Sequence, residues 1–203
     1  MIKTKDELID KLRSYALTPD DNNVRYKQLI RDNLFQCPEL LFALNNSELI
    51  PELFDDENNI DEDGEWDRYF GENSTIRPYI LFPETITDTR NYLCYTVGFD
   101  DVPKYDRIYC YTHITFTIFV HENNLTDPYS GIARHDLIAS IIRERFNWSS
   151  IFGIQTKLIS SKEQSTDNHY VVRTLVFQIY DVDSISVTPY GEDTRIIDHE
   201  VWS

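Results

Sequence analysis

The sequence predicts an α+β domain, a mainly antiparallel sheet covered by a helix on one face, with a helical extension at its N-terminus. Three observations carry that expectation. Residues 107–121 (RIYCYTHITFTIFVH) alternate with a period of two, rich in β-branched and aromatic side chains and free of Gly and Pro, which is a strand pattern. Residues 134–147 then place Leu137, Ile138, Ile141, Ile142 and Phe146 at helical spacing, so one stripe can cover a sheet. Around this pair lie further short alternating segments, without the regular alternation of strands and helices that marks a parallel α/β sheet.

Taken in order, residues 4–16 read as a helix. Thr4 and Glu7 have capping-box spacing, and Leu8, Ile9, Leu12, Tyr15 and Ala16 form a stripe. Residues 24–35 make a second helix. Pro38 opens a short third one over 38–45, since proline suits a first helical turn. Residues 48–74 differ in kind, with ten acids and one base between Glu52 and Glu72. Candidate strands follow at 76–82 (at an edge, because of Pro78) and at 92–99. After the long strand, the loop 122–131 holds the turn residues Asp127-Pro128 and Ser130-Gly131. Beyond the helix, 151–160 is expected as a strand with Phe152, Ile154, Thr156 and Leu158 on one face. A polar hairpin loop over 160–168 and a last strand over 169–181 complete the set. The organisation is then a helical extension and acidic loop (1–75), an α+β core (76–181) and a C-terminal arm (182–203). Ile196, Ile197, Val201 and Trp202 on that arm can dock on a partner or on the chain's own core.

Composition narrows the functions. The net charge is −16, spread as −12 over residues 1–106, +1 over 107–180 and −5 over 181–203. That balance disfavours tight binding to nucleic acid, which needs clustered Lys and Arg, and disfavours an anionic membrane surface. A negative surface lets DNA pass without sticking. Cys37, Cys94 and Cys110 are odd in number and widely spaced, fitting buried thiols rather than a disulfide framework or a zinc site. No apolar signal core or membrane-length apolar run is present. The N-x-S/T matches at Asn45, Asn73, Asn124 and Asn147 therefore carry no weight.

Catalytic and metal motifs are few. Asn59 to Phe70 resembles an EF-hand loop at positions one, three, five, six and nine, but Phe70 stands where the bidentate Glu belongs. An acidic surface loop is the better reading. The glycines are isolated, so neither a phosphate-binding loop nor a serine elbow exists. His113 and His121 share a strand face about 26 Å apart, too far for one metal. His135 and Asp136 are adjacent on a helix and expected to point apart. A metal-dependent nuclease would use Lys157 with Gln155 and Thr156, and Asp106 or Asp127 as the distant acid. Gln is a poor metal ligand and a basic DNA track is lacking. No catalytic, cofactor or metal residue is expected.

The stretch FTIFVHENNLTDPYSGIARHDLIASIIRERFN, residues 116–147, resembles tail terminator (tail completion) and neck proteins of tailed bacteriophages. Arg134, Asp136, Leu137, Ile141 and Phe146-Asn147 take the places of that group's helix pattern, and the element order agrees over 76–181. The helical and acidic first 75 residues depart from the compact terminators. The resemblance implies a non-enzymatic virion protein, assembled in the host bacterial cytoplasm. It implies a ring, usually hexameric, that caps the tail tube and meets the head connector while DNA passes through the lumen. The alternatives are an acidic interaction module that mimics DNA, and the nuclease.

Overall fold

The computed structural model describes residues 4–17, 22–71, 74–80, 89–100, 109–166 and 169–182. Among these described residues the fold is α+β, with four α-helices and a mixed five-stranded sheet. Helix α1 spans Lys5–Leu17, α2 Asn23–Phe35, α3 Pro38–Ala43 and α4 Arg134–Phe146. The strands are β1 (Ile76–Arg77), β2 (Tyr92–Asp100), β3 (Tyr109–His121), β4 (Lys157–Ser165) and β5 (Tyr170–Val182), in spatial order β1-β2-β3-β5-β4.

The capping box forms as its spacing predicts. The Thr4 hydroxyl accepts the Glu7 amide, and the Glu7 carboxylate accepts the Thr4 amide, both at 3.2 Å. β3 is the axis of the sheet, pairing antiparallel with β2 on one side and β5 on the other. Tyr95, Phe116 and Leu175 lie abreast across the three strands and point to the helices. There they meet Ile30 and Leu34 of α2, Leu40 and Leu41 of α3, and Ile138, Ile142 and Phe146 of α4 in one core. Three helices therefore cover that face, not one. Each such side chain contributes roughly 1.5–3 kcal/mol by leaving water.

Two expected strands and one expected loop differ. β1 is only two residues long, and it pairs parallel with β2, so the sheet is mixed. The segment 151–156 is a turn, because Gly153 adopts φ +83° and its amide bonds the Ser150 carbonyl. β4 starts at Lys157 and runs through the predicted polar loop to Ser165, with a register shift between Leu158 and Ser160. Inter-strand hydrogen bonds to β5, not apolar alternation, hold it. The arm 183–203 lies outside the described residues, as do Asn73 and Asp106.

The other sheet face carries a smaller cluster of Tyr92, Cys94, Phe119, Tyr170 and Val172. The Arg77 guanidinium sits 4.8 Å from the Tyr92 ring centre. Farther along, Thr96 pairs across to Thr115, and Tyr111 to Tyr180 with rings 5.4 Å apart. All three cysteines are buried thiols outside any disulfide. Burial pushes the Cys37 thiol up to about 12.

The acidic segment is folded. Phe54 bridges Ile60, and Asn58 turns the tip with φ +63°. The Asp55 carboxylate accepts the amides of Glu57 (2.9 Å) and Asn59 (2.8 Å). The bonds from Asn59, then Glu57, hold that carboxyl below its ordinary range. Trp66 is buried, and its indole donates to the Glu52 carbonyl at 3.1 Å. Gly64 sits so close that a Cβ there would lie 2.1 Å from that carbonyl oxygen. We expect Gly64→Ala to force the Trp66 turn off Glu52, costing about 1–3 kcal/mol. Denaturant melts followed by Trp fluorescence check this; an unchanged midpoint would show that the backbone yields freely.

Buried tyrosines tie helices to the sheet. The Tyr26 hydroxyl donates to Asp181 on β5, which also accepts from the Asn22 amide group at 2.8 Å. Burial, then that bond to Asp181, raises the Tyr26 pKa well above its usual 10. Burial likewise raises Tyr69, and pushes Tyr95 up to about 12. A phenol whose folded value exceeds its unfolded value contributes stability that is complete below the unfolded value and lost as pH rises through the folded one. Stability should therefore hold up to about pH 10 and fall above it. Tyrosinate absorbance should rise in two stages, exposed rings first and these three together with unfolding. A single smooth titration with the fold intact would be the contrary result.

Candidate functional site

The polar residues of the strand–loop–helix unit gather at the first turn of α4. Arg134 is buried there, and three groups hold its guanidinium. Nη1 donates to the Ala43 carbonyl at 2.8 Å, Nε donates to the Asn124 carbonyl at 2.9 Å, and Asp127 lies 3.4 Å away. Burial pulls Arg134 down, and the Asp127 charge opposes it. Burial raises the Asp127 carboxyl, but the Ser130 hydroxyl and amide, with Arg134, outweigh it and set the net shift downward. One buried pair thus fixes the loop 122–131, the end of α3 and the start of α4.

That anchoring presents His135 and Asp136 to the sheet, where Glu163 on β4 and Arg173 on β5 face each other in register. His135 Nε2 lies 3.2 Å from Glu163 Oε2 and 3.7 Å from Asp136 Oδ2. Arg173 reaches Asp136 Oδ1 at 2.8 Å and Glu163 Oε2 at 3.4 Å. His135 and Asp136 do not point apart as expected. In this first turn both side chains lean toward the same two strands. Beside them a cavity of about 290 Å³ is lined by Asp136, Ser140, Arg143, Leu158, Ser161 and Arg173.

Among the described residues, His135, Asp136 and Glu163 are the set of three ligand-type side chains whose donor atoms lie within 4.8 Å of one another. Arg173 already supplies the positive charge these carboxylates attract. The cluster clamps α4 onto the β4–β5 hairpin, through residues distant in sequence that sequence reasoning did not connect to the helix.

The other candidates are dispersed. Asp61 of the calcium-loop match accepts the Asp63 amide at 3.0 Å, and Phe70, the twelfth position, packs on Phe35. Lys157 opens β4 with its Nζ 6.0 Å from the Trp148 ring centre, and Gln155 is exposed just before it. The carboxylate of Asp127 is engaged by Ser130 and Arg134. His113 Nε2 meets Gln178 at 3.1 Å, while His121 Nδ1 accepts the Asn123 amide at 3.2 Å. Asn147 accepts the Leu158 amide at 2.9 Å, joining the helix end to β4. No helix among the described residues is long and apolar enough to cross a membrane.

Compared with known proteins, residues 38–179, more than half of the chain, match the model of the family described as YomW. No curated protein matches the chain.

Proposed function

Because the chain belongs to the YomW family, a phage-like family that makes it a phage-associated protein, we propose that it is a structural protein of the virion neck. In this reading it is not an enzyme. Copies close into a ring, of six subunits as the terminator resemblance implies, which caps the tail tube and meets the head connector. DNA passes the acidic lumen without specific binding.

One observation carries the reading. The described helices that cover the sheet all lie on one face, and the other face carries Thr96, Thr115, Thr174, Tyr111 and Val176 along three long strands. Hydroxyls and aromatic rings on rigid strands suit packing against a neighbouring subunit, where Tyr is favoured and Lys and Glu are not. Light scattering across a concentration series, with electron microscopy of the largest species, tests it. The expected result is a closed ring that forms as concentration rises from the 24.0 kDa single chain. A single chain at every concentration would count against it.

The ordered acidic segment favours a second reading, an acidic module that competes with DNA for a basic cleft. Asp55 and Asp61 fix their own turns, so the neighbouring carboxylates are held in place. Capture of a basic partner, weakening steeply with salt, would favour this reading over the ring.

A further inference from the structure

We propose that α1 is an arm that inserts its apolar stripe into the groove between α3 and the acidic hairpin of a second copy. This rests on the ring reading and names one contact within it. Helix α1 is formed and capped, yet Leu8, Leu12 and Tyr15 are 48%, 60% and 58% exposed. A thirteen-residue helix is marginal in water by itself and normally owes its stability to a packed face. The described residues leave those three side chains largely uncovered.

The same chain has an apolar groove between α3 and the acidic hairpin. Pro38, Phe42, Leu53, Phe54 and Ile60, with Glu39, line a cavity of about 250 Å³. Ile60 is 54% exposed, and Tyr129, 80% exposed, extends the wall with its ring 5.5 Å from that of Phe42. Leu8, Leu12 and Tyr15 are spaced i, i+4, i+7, the anchor pattern of a helix laid in a groove.

Charge selects this pairing. At about 100° per residue the three anchors span an arc of about 60°, with Lys5 and Lys11 just outside its two edges. Asp6, Glu7 and Asp10 fall on the far side. The placement of Lys11 is visible directly, its Nζ lying 4.8 Å from the Tyr15 ring centre. The groove has the opposite rim, with Glu39 in its wall and Asp55, Asp56, Glu57 and Asp61 on the hairpin that forms one side. Two lysines bordering an apolar stripe thus match carboxylates bordering an apolar slot. A contact joining different surfaces of the two partners is head-to-tail, the type that closes rings.

The test uses the full chain. Leu12→Asp and Ile60→Asp, both at exposed positions, should each abolish assembly at concentrations where the unaltered protein assembles. Leu17→Asp, on the opposite side of α1, should leave it intact. Copies carrying Leu12→Cys, mixed with copies carrying Ile60→Cys and oxidised, should form a mixed disulfide dimer; the native cysteines are buried and do not compete. Rings of unaltered mass in both Asp variants, with no mixed disulfide, would overturn the arm and leave the ring standing. A cross-link confined to single chains in the double-cysteine variant would also overturn it. An unaltered protein that stays a single chain throughout would overturn both readings.

Discussion

Replacing Arg134 with alanine is expected to remove about 3–5 kcal/mol of stability, the loss typical of breaking a buried charge pair. The magnitude follows from what is left behind. Asp127 stays buried with the Ser130 hydroxyl and the Tyr129 and Ser130 amides but no cation beside it, and the carbonyls of Ala43 and Asn124 lose their donor. Arg134→Lys should be almost as damaging, since an ammonium cannot span Ala43, Asn124 and Asp127 from one planar group. The acid side of the stability profile tests the electrostatic part. Asp127 is held below its ordinary value, so its contribution is present above the unfolded value and lost as pH falls through the folded one. Arg134→Ala should flatten that acid limb, and an unchanged limb would mean that Ser130 and the Tyr129 amide hold Asp127 without the charge. Urea midpoints with an unchanged slope are the measurement.

Phe116→Ala is the second large effect, at about 3–5 kcal/mol. Phe116 is fully buried at the centre of β3, with its ring 5.0 Å from Phe146, 5.8 Å from Phe177 and 6.4 Å from Tyr95. Those neighbours belong to α4, β5 and β2, and the sheet register holds two of them in place, so the void cannot collapse easily. A loss below about 1 kcal/mol would show that the helices close on the gap.

Much of this arrangement was readable from residue order. β3 and α4 stand where periodicity puts them, because burial on one face imposes a strict period on the sequence. The α1 capping box is equally local, since donor and acceptor lie three residues apart. β4 was misplaced for the same reason in reverse. It is an exposed edge strand with little apolar patterning, while Phe152 and Ile154 alternate by chance within a glycine turn. The two-residue β1 exists only because β2 is there to pair with it. His135 and Asp136 were visible as candidates, but Glu163 and Arg173 reach them only through the register of β4 on β5. The order in the acidic segment was hidden by its charge; it depends on Trp66, Leu53 and the space left at Gly64.

The character of β4 bears on how these molecules avoid one another. Among the described residues β4 is the edge of the sheet, and an edge strand is where another chain can pair and grow a ribbon; the Leu158 amide at its start is already taken by Asn147. The register break at Leu158 and Ser160 bends that rim, and Lys157, Lys162 and Glu163 line it with charge and hydration. Edge-to-edge joining is thereby discouraged. In the ring proposed above, copies would then meet through other surfaces, which close an assembly at a fixed size.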